Sequence, residues 1–129
     1  MPPPQSYEDS SFQGHKISVE TQDDIIPALH TIWSDIRVAI ATHNIYAYRI
    51  KGVGSKVVEH YEDDGEWGAG RRLLTVLQEK DITNTLVCVT RWCGKKLLGP
   101  SRFTHIVDAA NEVLEPNTAQ QDLQSETYF

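Results

Sequence analysis

Residues 91–102 contain four cations and no anion, a combination that favours the binding of an anion. The cations are Arg91, Lys95, Lys96 and Arg102. An apolar, β-branched segment at 85–90 precedes this stretch, and apolar side chains recur at helical spacing after it, over residues 103–114. The pattern predicts a loop that joins a buried strand to a helix, with Ser101 as the helix cap. Unpaired N–H groups at a helix start attract anions, and nearby cations strengthen that attraction.

Two interpretations of this loop remain open. In the first, its cations bind an anionic partner, and Trp92 stacks on a base or anchors a protein interface. In the second, Gly94 and Gly99 provide turn geometry, the lysines are solvated, and Trp92 belongs partly to the core.

An acidic segment that contains glycine lies earlier in the chain, before a second predicted helix. Its carboxylates are Asp63, Asp64 and Glu66, and the helix begins with Arg71 and Arg72. Cations at a helix start are unfavourable by about 0.3–1 kcal/mol each, so we expect something to compensate them. Either the acidic segment pairs with the two arginines, or a phosphate or acidic partner binds there and at the 91–102 loop. The same carboxylates are candidate Mg²⁺ ligands, but a solvated acidic loop is the commoner case.

The histidines do not form a recognisable metal site. They lie at positions 15, 30, 43, 60 and 105, with no close pair and no cysteine partner, so no zinc site is predicted. His15, His43 and His60 fall on predicted strands and could converge, although hydrogen-bonded or surface histidines are commoner. The sequence contains no nucleophile elbow and no phosphate-binding P-loop. We therefore predict no catalytic residue, no metal, no cofactor and no enzyme activity.

Four sequence blocks resemble those of one known family, and they occur in the same order. The blocks are Ser11-Phe12-Gln13-Gly14-His15; Thr42-His43-Asn44-Ile45-Tyr46-Ala47-Tyr48-Arg49; Asp63-Asp64-Gly65-Glu66 with Ala69-Gly70-Arg71; and Arg91-Trp92-Cys93-Gly94 with Leu98-Gly99-Pro100 and Arg102-Phe103. They extend over residues 11–114 and are similar to the blocks of the IMPACT family and its bacterial relatives. Three positions depart from the family pattern. Cys93 stands where an aromatic residue is usual, Lys95 replaces a second glycine, and Trp67 enters the acidic segment.

The resemblance implies the ribosomal protein S5 domain 2-like fold and a regulatory function. Eukaryotic members of the family are translational regulators. They bind the ribosome-associated activator of a starvation-responsive initiation-factor kinase, and they also associate with actin. These members carry an RWD domain before the domain seen here, whereas bacterial relatives carry a small C-terminal domain instead. Because about ten residues precede the first block, we expect a stand-alone domain without the RWD module.

Hydrophobic periodicity predicts the order β, α, β-hairpin, α, β, α in a single domain of the α/β (α+β) class. The predicted strands are 11–20, 43–51, 56–61 and 85–90, and the predicted helices are 24–38, 71–80 and 102–114. We expect a mixed sheet with the helices on one face, and we expect strand 85–90 to be buried on both of its faces. Pro27 restricts the start of the first helix to Asp23 or Asp24, because proline fits only the first turn.

Length and composition are those of one globular domain. The chain has 129 residues, of which 40% are hydrophobic, enough for a core. We predict a disordered arm at 1–10, the domain at 11–114, and a polar acidic tail at 115–129. The net charge is −6, but five acids lie in the arm and tail, which leaves 13 acids and 12 bases in the domain. No apolar run is long enough to span a membrane, and the two cysteines are a poor disulfide pair, so we expect a cytoplasmic protein, with a nuclear location as the alternative.

Two functional hypotheses from different classes follow. The first is a non-catalytic protein-binding module of translational regulation, with a partner- or anion-binding surface made of Arg71, Arg72, Arg91, Trp92, Lys95, Lys96 and Arg102. The second is an RNA- or ribosome-binding domain that uses the basic loop 91–102. We favour a protein partner because the acidic arm and tail repel a polyanion. Salt distinguishes the two, since phosphate contacts weaken steeply as the salt concentration rises.

Overall fold

The structure is a computed structural model that describes residues 2–7, 10–95 and 97–114. Its strands are β1 (Gln5–Tyr7), β2 (Ser10–Ser18), β3 (His43–Lys51), β4 (Val57–Glu62) and β5 (Thr85–Trp92). Its helices are α1 (Ile25–Trp33), α2 (Ile36–Ala39), α3 (Ala69–Glu79) and α4 (Ser101–Leu114). Lys96 and the predicted acidic tail at 115–129 lie outside the described residues.

The five strands form one sheet in the order β1-β2-β5-β3-β4, with β5 at its centre. All four neighbouring pairs in the described sheet are antiparallel. The α+β class and the single domain are therefore confirmed, but the prediction of a mixed sheet is wrong. β2 runs parallel to β3, and β4 runs parallel to β5, but an antiparallel strand separates the members of each pair.

The central strand β5 is buried on both faces, as the sequence predicts. Leu86 and Cys88 contribute to one apolar cluster, and Val87 and Val89 contribute to the other. All four side chains are fully buried. Burial also raises the pKa of the Cys88 thiol to about 12, so this cysteine stays protonated as a small core residue.

Helices cover both faces of the sheet, so the prediction that they share one face is wrong. Ile25, Leu29 and Ile32 of α1 pack with the even-numbered residues of β5, whereas α3 and α4 pack with the odd-numbered residues. Successive side chains of a strand point to opposite faces, so a strand that is apolar at consecutive positions needs apolar cover on both sides. The two-faced burial of β5 thus requires a three-layer arrangement.

The first predicted helix is divided into two. α1 starts at Ile25 after a short 3-10 turn, with Pro27 inside its first turn as expected. Asp35 then adopts an extended conformation, and its carboxylate accepts a bond of 2.9 Å from the backbone N–H of Arg37. This side chain caps a separate short helix, α2, which periodicity alone had merged with α1.

The remaining elements lie close to their predicted positions, apart from β1. β3 begins and ends as predicted, and the ends of β2, β4, β5, α3 and α4 differ from prediction by at most two residues. The prediction of a disordered arm is wrong for Gln5–Tyr7, because this segment pairs with β2 along the sheet edge. None of the helices in the described part of the chain is long and apolar enough to cross a membrane.

α4 lies unusually close to the sheet where it crosses β2. A Cβ atom placed on Gly14 would be 2.3 Å from the carbonyl oxygen of Ala109, closer than real Cβ atoms approach. Glycine at this position therefore permits the contact between helix and strand. This close packing fixes α4 over the end of β5, where the predicted site residues lie.

Candidate functional site

The acidic segment folds as a loop over residues 63–68, and its first carboxylate caps α3. The two carboxylate oxygens of Asp63 accept bonds from the backbone N–H groups of Gly68 (3.1 Å) and Gly70 (2.7 Å). Gly68 adopts φ of 90°, a left-handed conformation that favours glycine. A carboxylate at a helix start offsets the positive end of the helix dipole. The carboxylate of Asp63 therefore offsets part of the unfavourable positive charge that Arg71 and Arg72 place at this helix start.

Glu66 is buried, and two arginines pair with its carboxylate. Nη1 of Arg91 contacts Oε2, and Nε of Arg102 donates to Oε1 at 2.7 Å. His43 Nε2 lies 3.9 Å from Oε2. We call these four residues the Glu66 cluster. The Nε atom of Arg91 is buried and has no hydrogen-bond acceptor among the described residues.

This pairing differs from the expectation that the acidic segment would neutralise Arg71 and Arg72. Glu66 instead neutralises Arg91 of β5 and Arg102 of α4, which the sequence had assigned to an anion-binding surface. Arg71 and Arg72 are exposed, and neither forms an ion pair within the described residues. Their charges thus remain available to an acidic partner.

Arg72 extends the Glu66 cluster towards solvent through an aromatic ring. Its guanidinium lies 3.9 Å from the centre of the Phe103 ring, and the guanidinium of Arg102 lies 4.3 Å from the same centre. The Nη1 atom of Arg72 also donates to the carbonyl of Gly68 at 3.0 Å. Cations stacked on a ring are held by its negative face, so Phe103 positions both arginines.

The other predicted site residues do not join this group. Trp92 lies half-buried on the opposite face, and its indole N–H donates to the carbonyl of Arg37 at 2.8 Å. Lys95 is exposed in the loop, and Lys96 lies outside the described residues. The hydroxyl of Ser101 donates to the carbonyl of Leu98 at 2.7 Å, and among the described residues no backbone N–H of α4 donates to it, so the predicted cap is not formed there. The structure therefore brings together Arg72, Arg91 and Arg102, but turns Trp92 away from them.

A neutral chain of hydrogen bonds, which the sequence did not indicate, lies on the other face of the same strands. His15 Nε2 lies 2.8 Å from the hydroxyl of Thr90, and that hydroxyl donates to Oδ1 of Asn44 at 2.7 Å. The amide of Asn44 donates to the carbonyl of Val38 at 2.9 Å. We call His15, Thr90 and Asn44 the Thr90 chain. Because Thr90 has one hydroxyl proton, which goes to Asn44, Nε2 of His15 donates to the Thr90 oxygen.

Burial keeps the imidazole of the Thr90 chain uncharged. It lowers the pKa of His15 from 6.5 to about 4, because a cation is poorly solvated there. The three strand histidines do not converge: His43 belongs to the Glu66 cluster, whereas His60 contacts Glu62 at 2.9 Å on the surface. Within residues 2–7, 10–95 and 97–114, no group of three His, Cys, Asp or Glu side chains could hold a metal ion.

The acidic loop connects the two clusters around the start of β3. Asp64 accepts a bond of 2.7 Å from the backbone N–H of Asn44 through its carboxylate. Its carbonyl contacts Nδ1 of His43 at 2.8 Å. Asp64 has a positive φ of 48°, and this conformation lets one residue contact neighbouring positions that face opposite sides of the sheet. None of the three carboxylates in the loop therefore requires a metal to account for its position.

Comparison with known proteins identifies one family. The sequence profile of the Impact N-terminal domain matches residues 8–114. Protein IMPACT-B of Xenopus tropicalis and Protein IMPACT of Danio rerio are both 46% identical over 106 residues, which is 81% of this chain and 33% of each relative. The Protein IMPACT homolog of Schizosaccharomyces pombe is 38% identical over 105 residues, or 38% of its length. The chain thus spans about a third of the length of these relatives.

Two solved structures share the fold. The two-domain translational regulator Yih1 is 33% identical with a TM-score of 0.60, over 84% of this chain and 43% of that one. The crystal structure of a hypothetical protein is 18% identical with a TM-score of 0.73, over 88% of this chain and 55% of that one. At that lower identity the second similarity shows the fold alone.

Proposed function

The chain belongs to the Impact N-terminal domain family, and from that premise we propose that it is a non-catalytic, protein-binding domain of a translational regulator. The matched structure of Yih1 is that of a two-domain translational regulator, and this similarity supports the proposal. The resemblance described above implies the partner: the ribosome-associated activator of a starvation-responsive initiation-factor kinase. We place this activity in the cytoplasm, where ribosomes translate.

One observation carries the proposal. Arg71 and Arg72 project from the start of α3 without an ion-pair partner among the described residues, because the nearby carboxylates are already engaged. Asp63 caps the helix, Asp64 bonds to β3, and Glu66 binds two other arginines. Carboxylates of a partner protein would neutralise the two exposed cations. Arginine suits this function because its planar guanidinium binds a carboxylate through two hydrogen bonds.

The same geometry weighs against the RNA-binding alternative. That hypothesis needs Trp92 beside the basic loop as a stacking surface, but its indole is half-buried on the opposite face and bonded to Arg37. The largely exposed Trp67 follows the acidic residues 63–66, where negative charge repels phosphate. Among the described residues, neither Trp92 nor Trp67 therefore lies beside the basic loop as a stacking surface for a base.

A pull-down from cell extract, with and without nuclease, tests the proposed function. We expect the chain to retain the ribosome-associated activator in both samples, identified by mass spectrometry. The variant Arg71→Glu/Arg72→Glu should lose that protein, because reversed charges repel acidic residues of the partner. Its fold should be preserved, since glutamates at a helix start are favourable.

Two further variants make this test specific. Lys51→Glu/Lys56→Glu makes the same charge change at exposed positions of the β3–β4 hairpin and should retain the partner. Lys95→Glu/Lys96→Glu tests the 91–102 loop separately, and undiminished binding would remove that loop from the interface. Retention that disappears with nuclease and falls steeply with salt would instead support RNA binding.

A further inference from the structure

Two hollows lined by carboxylates lie beside the acidic loop, and their charge is opposite to that of the exposed Arg71 and Arg72. The first has a volume of about 430 Å³ and is lined by Trp33, Tyr46, Glu62 and Asp64, together with Ala39 and Asn44. The second, of about 330 Å³, is lined by Tyr61, Glu62, Asp63, Asp64 and Trp67, together with Gly65. Glu62 and Asp64 line both, so the two hollows are neighbours that share a carboxylate wall.

The charge of these hollows is entirely negative. Among the residues that the structure describes, neither lining includes a lysine, an arginine or a histidine, whereas three carboxylates are present. The side chain of Glu62 is 52% exposed, and its contact with His60 leaves one carboxylate oxygen for another donor. The pKa of Tyr46 is raised, first by burial and then by the charge of Glu62, which is consistent with a negative environment.

Aromatic side chains form the other walls. Trp67 is 81% exposed, which is exceptional for tryptophan, the largest type of side chain. The indole N–H of Trp33 is buried and has no acceptor among the described residues, whereas that of Trp92 is bonded to a backbone carbonyl. Trp33 is therefore not fixed by a hydrogen bond of its own.

We propose that the two hollows form one docking surface for an extended segment of a partner protein that carries arginine or lysine side chains. Glu62 would accept hydrogen bonds from a cationic side chain, and the faces of Trp33 and Trp67 would stack on its apolar stem and charged group. The shared carboxylate wall places two such side chains in adjacent hollows. This inference rests on the proposed function in that the partner is a protein, but it uses a surface separate from Arg71 and Arg72.

Nuclear magnetic resonance of the ¹⁵N-labelled full chain tests this docking surface through its three indole N–H signals. The probe is an eight-residue peptide of alternating arginine and glycine, and the matched peptide contains neutral citrulline in place of arginine. We expect saturable shifts of the Trp33 and Trp67 signals with the arginine peptide, and none at Trp92. The citrulline peptide should produce no shift.

Charge variants define the specificity of the interaction. Glu62→Gln should weaken binding roughly fivefold, the effect expected for one partly exposed charge pair. Glu79→Gln removes the same charge from the exposed last turn of α3 and should bind the peptide as the wild type does. Equal weakening by both variants, equal shifts at all three tryptophans, or the lack of a saturable shift would overturn the inference.

Three more outcomes separate this inference from its alternatives and from the proposed function. Sedimentation that shows concentration-dependent dimers, abolished by Arg71→Glu/Arg72→Glu, would mean that a second copy of the chain occupies the hollows and would overturn it. Loss of peptide binding with the extract interaction intact would contradict this inference alone. Loss of the extract interaction with peptide binding intact would contradict the proposed function alone.

Discussion

The Glu66 cluster and the Thr90 chain lie on consecutive residues of the same two strands, yet they satisfy buried polar groups in opposite ways. His43 and Arg91 face α3 and α4, where a carboxylate from the 63–68 loop meets them. Asn44 and Thr90 face α1 and α2, where each hydrogen-bond donor meets a neutral acceptor. Within the described residues, the charged side chains that are buried, Glu66 and Arg91, lie where the 63–68 loop supplies the opposite charge. On the other face the same loop brings a carboxylate, that of Asp64, only to the backbone N–H of Asn44, and the buried side chains there stay uncharged.

The largest effect should come from removing the charge of Glu66. Glu66→Gln leaves Arg91 as a buried cation without a counter-charge, which should lower the free energy of unfolding by about 3–5 kcal/mol. Urea denaturation measures this change. The double variant Glu66→Gln/Arg91→Gln should lose much less than the sum of the two single variants. Additive losses would mean that the two side chains do not act as a pair, whereas the exposed Glu79→Gln should change stability by less than about 0.5 kcal/mol.

The contribution of the Thr90 chain should instead appear in the dependence of stability on pH. The unfolded chain binds a proton on His15 below pH 6.5, whereas the folded protein does so only near pH 4. Stability from this residue is therefore present above pH 6.5 and is lost as the pH falls to about 4, by up to about 3 kcal/mol. Denaturation at a series of pH values should show a shallower decline for His15→Gln over this range. His30→Gln, at an exposed position of α1, should retain the wild-type slope.

A smaller effect should follow at Asp63, in the loop that joins the two clusters. Asp63→Ala leaves the N–H groups of Gly68 and Gly70 without their acceptor and should cost about 1–2 kcal/mol. Asp63→Asn keeps one acceptor oxygen and should lose roughly half as much. Thermal denaturation of both variants measures these losses, with exposed Asp108→Ala as the control. Equal losses for Asp63→Ala and Asp63→Asn would show that charge, rather than acceptor number, stabilises this helix start.

The smallest effect should lie at the outer edge of the Glu66 cluster. Arg72→Gln removes the guanidinium that stacks on Phe103 and should cost about 0.5–1 kcal/mol. Arg71→Gln removes an exposed cation without a described contact and should cost less. Urea denaturation of both variants decides whether Phe103 distinguishes these neighbouring arginines. Equal losses of stability from the two variants would show that stacking on Phe103 does not distinguish Arg72 from Arg71. The Glu66 cluster would then consist of its four defined members alone.

The sequence identified the elements better than it identified their partners. Periodicity placed β3 and the two-faced β5 correctly, because burial of a strand depends on its own residues. It could not predict that Glu66 pairs with Arg91 and Arg102, which are 25 and 36 positions further along the chain. The Thr90 chain was missed for the same reason, since its members come from three strands and only their register brings them together.

The arrangement of helices on both faces has a topological cause that local patterns do not contain. The connection β2–α1–β3 crosses over β5, and the connection β4–α3–β5 crosses over β3 in the opposite direction across the sheet. The strands β4 and β5 also run antiparallel to β2 and β3. Two right-handed crossovers would therefore place α1 and α3 on the same face. Because these helices lie on opposite faces, the two crossovers differ in hand.

The central position of β5 has a consequence for the order in which the chain can fold. Both neighbours of this strand, β2 and β3, precede it in the sequence, and they do not pair with each other. During synthesis the first 84 residues emerge without the strand that joins the β1–β2 hairpin to the β3–β4 hairpin. Until β5 appears, each hairpin exposes an unpaired edge and an apolar face, which are prone to aggregation. A nascent chain arrested before residue 85 should therefore bind chaperones, and release of β5 should commit it to the native sheet.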